Sequence, residues 1–320
     1  MQIGRLVQIL TLPTREGFQR PASSFTPIPM RFQHIILALA AMALWGLNFA
    51  VAKIALAEFP PILLSALRFM TVALVLLPFR LRPPRLRPIL ILAVILGLVH
   101  FPLVFSGLSR LDASTSAIVL QLQVPAGVFL AALLLGEKLR PRDVFGMLIA
   151  FAGVALIAGA PRLEANRIGL AFLLVAAFGW GLATVQLKRV GPIDPFSLNG
   201  WLGLFIATEL FVVSRLLEGS PVHYIAAATW RGWSGVLYTS VVSTIVAFGI
   251  WARLVARYPV GQTLPFMLTI PLFAILGGIV LNGDRVTLDM ALGGVLTIIG
   301  VGSIVLKPRR LNSVAAANAP

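Results

Sequence analysis

The chain has 320 residues, 58% of them hydrophobic and only 12% charged, with a mean hydropathy of +0.95. Soluble domains carry about a quarter charged residues, so this composition excludes a water-soluble fold and calls for apolar segments of membrane-spanning length. The formal charge of +15 would in a soluble chain suggest nucleic acid, but the 26 Lys and Arg fall in short clusters between apolar runs, which is the pattern of cytoplasmic membrane flanks and predicts no nucleic-acid partner.

Residues 1–32 are polar, proline-containing and weakly basic, and are expected to form a disordered cytoplasmic extension. The apolar run 3–12 is broken by Arg5 and Gln8, and no small-residue cleavage site follows it, so no signal peptide is expected. Met30, directly before the first long apolar run, is a candidate initiator. Apolar runs then recur at 33–57, 61–79, 89–109, 114–135 and 142–160, and again at 168–187, 196–217, 233–253, 260–281 and 288–306. The expected fold class is therefore all-α integral membrane, with ten transmembrane helices, five in residues 33–160 and five in residues 168–306, followed by a cytoplasmic tail, 307–320.

The two sets are copies of one unit. LWGLNFAVAK at 44–53 returns as GWGLATVQLK at 179–188, with Trp45, Gly46, Leu47 and Lys53 displaced by 135 positions onto Trp180, Gly181, Leu182 and Lys188. Downstream, Pro125, Gly136, Gly146 and Gly153 find counterparts in Pro271, Gly283, Gly293 and Gly300. An odd number of crossings per unit makes the second enter from the opposite side, so inverted repeats are expected. With both termini cytoplasmic, eighteen basic residues fall on that side and six on the other, while Lys53 and Arg68 lie in or near spans.

Read together, LWGLNFAVAK, PPILLSALRF, LQVPAGVFLAALLLGEKL and GMLIAFAGVALI resemble the drug/metabolite transporter superfamily, EamA type, and are especially similar to bacterial exporters of O-acetylserine and cysteine. The resemblance covers nearly all of residues 33–306. It implies an inverted-repeat carrier in the bacterial inner membrane, with a cavity between its halves, that moves small metabolites such as amino acids or their derivatives, commonly outward. Asp284 departs from the glutamate usual at that point of the family, and the N-terminal extension is not a family feature.

A carrier needs polar groups and backbone breaks at membrane depth. Pro125 and Pro271, inside the fourth and ninth runs, are expected to release the carbonyls of Gln121 and Met267; the alternative is a kink that serves packing. Near these breaks, Trp45, Asn48, Gln121, Gln123, Trp180, Thr184, Tyr238 and Thr244 are the candidate cavity residues. Helix packing, interfacial belts and backbone satisfaction are the competing uses of such side chains. Arg68 and Glu209 lie within spans. Glu209 is a candidate proton-coupling carboxyl, or else only packs against a neighbouring helix; Arg68 is a candidate partner for it, or for backbone and loop groups.

The remaining features are expected to be structural. Lys53 and Lys188 should snorkel to the interfaces. Glu137 with Lys138, and Asp284 with Arg285, read as solvated charge pairs at the membrane surface. Gly146, Gly153, Gly293 and Gly300 read as a packing seam or a dimer face, which leaves monomer and homodimer both open. With no Cys and only His34, His100 and His223, no metal site is expected and His100 is a weak titratable candidate. The chain lacks GxxxxGK[ST], so no cofactor or ATP is expected, and a proton or an exchanged solute is left as the driving force. The alternatives are a transporter of a different metabolite class, a structural or sensory membrane protein, which would show no solute flux, and an integral-membrane enzyme acting on lipid-linked substrates, which would need clustered acids, histidines or phosphate-binding arginines at one interface.

Overall fold

The computed structural model describes residues 30–79, 86–136, 139–158, 166–190, 193–258 and 263–306. The expected extension up to residue 29, the tail 307–320 and the Glu137–Lys138 pair lie outside these residues. Without water in a bilayer core, each apolar run must satisfy its own backbone, and the runs are helices: α1 Phe32–Ala55, α2 Pro61–Leu76, α3 Leu86–Arg110, α4 Ala113–Leu135, α5 Pro141–Ala158, α6 Arg167–Val190, α7 Pro195–Leu217, α8 Trp230–Leu254, α9 Phe266–Asn282 and α10 Leu288–Val305. Among the described residues there is no strand. Seven of these helices, α1, α3, α4, α6, α7, α8 and α10, are long and apolar enough to cross a membrane, and α2 and α9 are shorter apolar helices. A short helix, Pro221–Ala227, was not foreseen from the apolar pattern because it buries none of its residues.

Local chemistry sets the ends. Pro61 and Pro195 open α2 and α7, where a missing N–H costs nothing, and the Asp194 carboxylate accepts from Ser197 N at 2.7 Å. Gly136 and Gly283 close α4 and α9 at φ 68° and 69°, a left-handed conformation open to glycine.

The helices pack in reciprocal pairs. α1 lies on α9 and on α8; α6 lies on α4 and on α3; α2 packs on α7, and α5 on α10. Outward faces are apolar, with Phe145, Leu216, Val280 and Leu288 largely exposed, while small side chains such as Ala41, Ala50, Ala176 and Ala177 are fully buried between helices. The α5–α10 seam shows why. A Cβ on Gly153 would fall 2.5 Å from the Gly293 carbonyl oxygen, and one on Gly300 2.6 Å from the Gly146 carbonyl oxygen. These four glycines are spent on contact within the chain, which is the packing-seam reading of the two.

Both halves depart from α geometry at corresponding places. α3 widens to a π-helical turn at Ile95–His100 and α8 does so over Tyr238–Ala247; a 3-10 turn, Leu120–Leu122, precedes Pro125, and another, Leu264–Thr269, precedes Pro271. Such departures mark strained or functional stretches more often than ordinary helix does.

Candidate functional site

The prolines act differently from expectation. Pro271 is in the first turn of the segment Ile270–Gly277, and Pro125 is the third residue of Gln123–Leu135, positions where no intrahelical N–H bond is lost. The chain before each winds more tightly, and the Met267 carbonyl, expected to be free, accepts from Ile270 N–H. Each proline thus starts a helix segment after a tightened turn.

Against these breaks lie the repeated glycines. A Cβ on Gly46 would come 2.7 Å from Ile270 O and 2.9 Å from Ala274 N, beside Pro271. One on Gly181 would come 2.8 Å from Gly127 N and 2.9 Å from Ala126 C, beside Pro125. The Trp-Gly-Leu repeat is therefore a docking element: each copy brings its helix onto the broken helix of the other half.

The neighbouring tryptophans face the π-helical turns. Trp45 Nε1 donates to Ser243 O at 2.9 Å and its ring meets Trp251 edge-on at 5.9 Å; Tyr238 OH donates to Leu44 O at 3.1 Å. In the other half, Trp180 lies 4.9 Å from the His100 ring, and His100 Nδ1 donates to Ala176 O at 2.8 Å. Arg68 joins the two groups. Its Nε and Nη2 donate to Thr244 Oγ1 at 3.1 and 2.9 Å, and its guanidinium lies 5.3 Å from the Phe101 ring, which itself meets the His100 ring edge-on at 4.8 Å. Thr244 in turn donates to Thr239 O at 2.8 Å. Trp45, Tyr238, Thr244, Arg68 and Trp180 are thus parts of one network through α1, α2, α3, α6 and α8.

His100 and Phe101, neither among the candidate cavity residues, belong to this network. The interval that relates Leu86 to Trp230, the starts of α3 and α8, also carries His100 onto Thr244, and that correspondence was available in the repeat.

The other candidates stand apart. Asn48 is half-buried on α1 and Gln121 buried on α4, and Asn48 Oδ1 and Gln121 Nε2 are buried without a hydrogen-bond partner in the chain. Gln123 is half-buried, and Thr184 is exposed with its hydroxyl turned back to Trp180 O at 2.9 Å. Glu209 makes no ion pair with Arg68. Its Oε2 is likewise buried without a partner, and it lies over Gly97 in the π-helical turn of α3.

One surface reading needs correction. Asp284 is 8% exposed and its Oδ2 accepts from Ser114 N at 2.9 Å and Ser114 Oγ at 2.7 Å, so it joins α9 to the start of α4 rather than facing water. Lys53 in the last turn of α1 donates from Nζ to the carbonyl of Leu111, in the connection from α3 to α4.

With this arrangement in view, comparison with known proteins is decisive about kinship. The profile of the EamA-like transporter family matches residues 33–159 and, a second time, residues 167–306. The chain belongs to the EamA-like transporter family. A probable amino-acid metabolite efflux pump of Escherichia coli (strain K12) is 30% identical over 277 residues, covering 83% of this chain and 92% of that protein. The Salmonella typhimurium protein of the same description is 30% identical over 276 residues. An uncharacterized transporter of Bacillus subtilis is 28% identical over 302 residues, 90% of this chain and 96% of its own. A solved crystal structure superposes with a TM-score of 0.60 at 24% identity, covering 89% of this chain and all of the other, which is a likeness of fold. This EamA-like transporter is a multi-pass membrane protein, and its two profile matches fall on α1 to α5 and on α6 to α10.

Proposed function

We propose that this EamA-like transporter is a secondary-active exporter of small amino-acid-type metabolites in the bacterial inner membrane. It works by alternating access between two inverted five-helix repeats, with both termini cytoplasmic. The reciprocal pairing of α1 with α9 and α6 with α4 supports the repeat reading, as rocking of one half against the other needs equivalent contacts. The description of the Escherichia coli relative supports outward movement of amino-acid metabolites, O-acetylserine and cysteine being the first solutes to test.

The observation that carries the reading is the set of unused polar atoms. Buried polar atoms are normally paired, yet Asn48 Oδ1, Gln121 Nε2 and Glu209 Oε2 offer two acceptors and a donor with no partner in the chain. They are three of eight such atoms among the described residues, and the proposal is that a solute which both donates and accepts pairs with them, as a lipid tail would not. Glu209 is the proposed proton-coupling group and Arg68 the group that ties α2 to the cavity wall through Thr244. The α5–α10 seam is closed within the chain, so one chain is the proposed transport unit.

Purified protein in liposomes, loaded with amino acids and given a pH gradient, tests this directly. Efflux of an amino acid above protein-free liposomes is expected, and none across a broad solute panel would reject the reading. Single cysteines at Trp45, Asn48, Gln121, Gln123, Trp180, Thr184, Tyr238 and Thr244 can be read without background, since the chain has no Cys of its own. Inaccessibility of all eight to small polar thiol reagents from both sides would remove them from the cavity.

A further inference from the structure

Helix starts carry free N–H groups and a partial positive charge, and a side chain just before the helix usually answers them. At one face of this molecule α8 and α10 keep such local caps, Thr229 on Arg231 N and Thr287 on Met290 N, whereas α2 and α4 are answered from the other half. Pro60, before α2, has no side chain that can cap, and the Asp112 side chain makes no capping bond to α4. Glu218, at the end of α7, supplies α2: its Oε1 accepts from Ile62 N and its Oε2 from Leu63 N, both at 2.8 Å, with Ser214 Oγ holding Oε2 at 2.8 Å. Asp284, after α9, supplies α4 through Ser114 N and Oγ. In the opposite sense Glu58, after α1, accepts from Thr229 N and Thr229 Oγ1, both at 2.6 Å, and so holds the residue whose own hydroxyl caps α8 at Arg231 N.

All three contacts lie where α1, α7 and α9 end and α2, α4 and α8 begin, which makes them one face, and all three cross between residues 33–159 and 167–306. Room for two of them is built in. A Cβ on Gly232 would fall 2.5 Å from Glu58 Oε2, and one on Gly278 2.5 Å from Ser114 Oγ. At the opposite face, among the described residues, the halves meet through neutral acceptors: Arg142 Nη2 donates to Leu306 O at 2.7 Å, Gln186 Nε2 to Pro88 O at 3.1 Å, and the Tyr258 hydroxyl meets His34 Nδ1 at 2.6 Å.

We infer that Glu58, Glu218 and Asp284 are positioning residues of the transport cycle: a three-point carboxylate latch that holds the α1–α2 face closed and must release for that face to open. A local cap stabilises a helix in every state of a carrier. A carboxylate borrowed across the seam acts only while, at this face, α7 stays on α2, α9 on α4 and α1 on α8, so these bonds favour the closed face selectively. Their release is reversible because water can hydrate both the carboxylates and the freed N–H groups once the face parts. The inference rests on the alternating-access reading given above, but not on which solute is carried.

The test uses the full chain in liposomes, with a single reporter cysteine at Asn48 or Thr244 and impermeant thiol reagent applied to one face at a time. Glu58→Gln, Glu218→Gln and Asp284→Asn are made singly and together, with Asp284→Glu as the conservative control, and melting temperature is read in parallel. For each neutral variant, labelling from the α1–α2 face is expected to rise relative to the opposite face. The ratio should change by at least about tenfold in the triple variant, the size of one lost charge-assisted bond, and Asp284→Glu should restore the wild-type ratio. A lowered melting temperature with an unchanged ratio of labelling from the two faces would overturn the latch and leave ordinary stabilising caps. If Asp284→Asn does not fold, the Glu58 and Glu218 variants decide by the same ratio. Failure of amino-acid efflux would leave the labelling ratio standing, and an unchanged ratio would leave efflux standing, so the two readings fail separately.

Discussion

Glu209 Oε2 rests against the bare backbone of Gly97, where a Cβ would approach it to 2.6 Å. A carboxyl at membrane depth without an ion pair is tolerated there because α3 opens into its π-helical turn and presents no side chain.

Two substitutions follow from that contact. Gly97→Ala pushes the carboxyl aside, whereas Glu209→Gln keeps its shape and removes its charge change. Both variants are expected to reach the membrane in normal amount and to lose pH-gradient-driven flux while retaining exchange, measured in liposomes with and without a gradient. Gradient-driven flux equal to wild type in Glu209→Gln would return this residue to packing.

Gly46 and Gly181 should be equivalent despite lying 135 positions apart, because each admits the backbone beside a proline break. Alanine at either is expected to destabilise by about 1–3 kcal/mol through overpacking against rigid backbone. Thermal unfolding in detergent should show similar losses for the two, whereas alanine at Gly219, with nothing within 4 Å but φ 91°, should show only backbone strain.

Arg68 donates twice to Thr244 Oγ1 and lies against the Phe69, Phe101 and Phe105 rings at 5.6, 5.3 and 5.9 Å. Thr244→Val leaves two guanidinium donors unanswered and should cost about 1–3 kcal/mol. Arg68→Lys should not substitute for the wild type, because a point charge replaces neither the fork nor the ring stacking. A double-mutant cycle on unfolding checks the coupling, and additive losses would dissolve it.

Glu58 gives a pH dependence outside the membrane. Hydrogen bonding from the Thr229 side chain, above all, holds its carboxyl below the ordinary value of 4.5. A carboxyl depressed on folding contributes stability at pH above its unfolded value and loses it as pH falls through the lower folded value. The Glu58–Thr229 contact should therefore hold at mildly acidic pH and fail only below the usual carboxylate range. Reagent access to a cysteine at Ala57 against pH should show this transition, and Glu58→Gln should abolish it.

Much of the architecture was legible because membrane helices must be apolar over a set length. The repeat of Trp45-Gly46-Leu47 at Trp180-Gly181-Leu182, and the run boundaries of α1 to α10 except the start of α9, where the run opens at 260 and the helix at Phe266, needed only the linear order of residues. The family resemblance came from the same short motifs, and the double profile match bears it out.

What only the tertiary structure decided is which residue answers which. Asp284 in the sequence is an acid beside Arg285 at a helix end, and such acids are usually hydrated; its burial depends on Ser114, 170 positions away, presenting a free N–H at the start of α4. Gly146 and Gly300 announce close approach but not whether their partner is another chain or the same one. The π-helical turns of α3 and α8 leave no mark in hydropathy, because widening a turn changes where side chains point and not what they are. Helical periodicity is a local property, readable from neighbours in the chain, whereas pairing of buried polar groups is set by contacts between helices far apart in sequence, and those exist only once the helices pack.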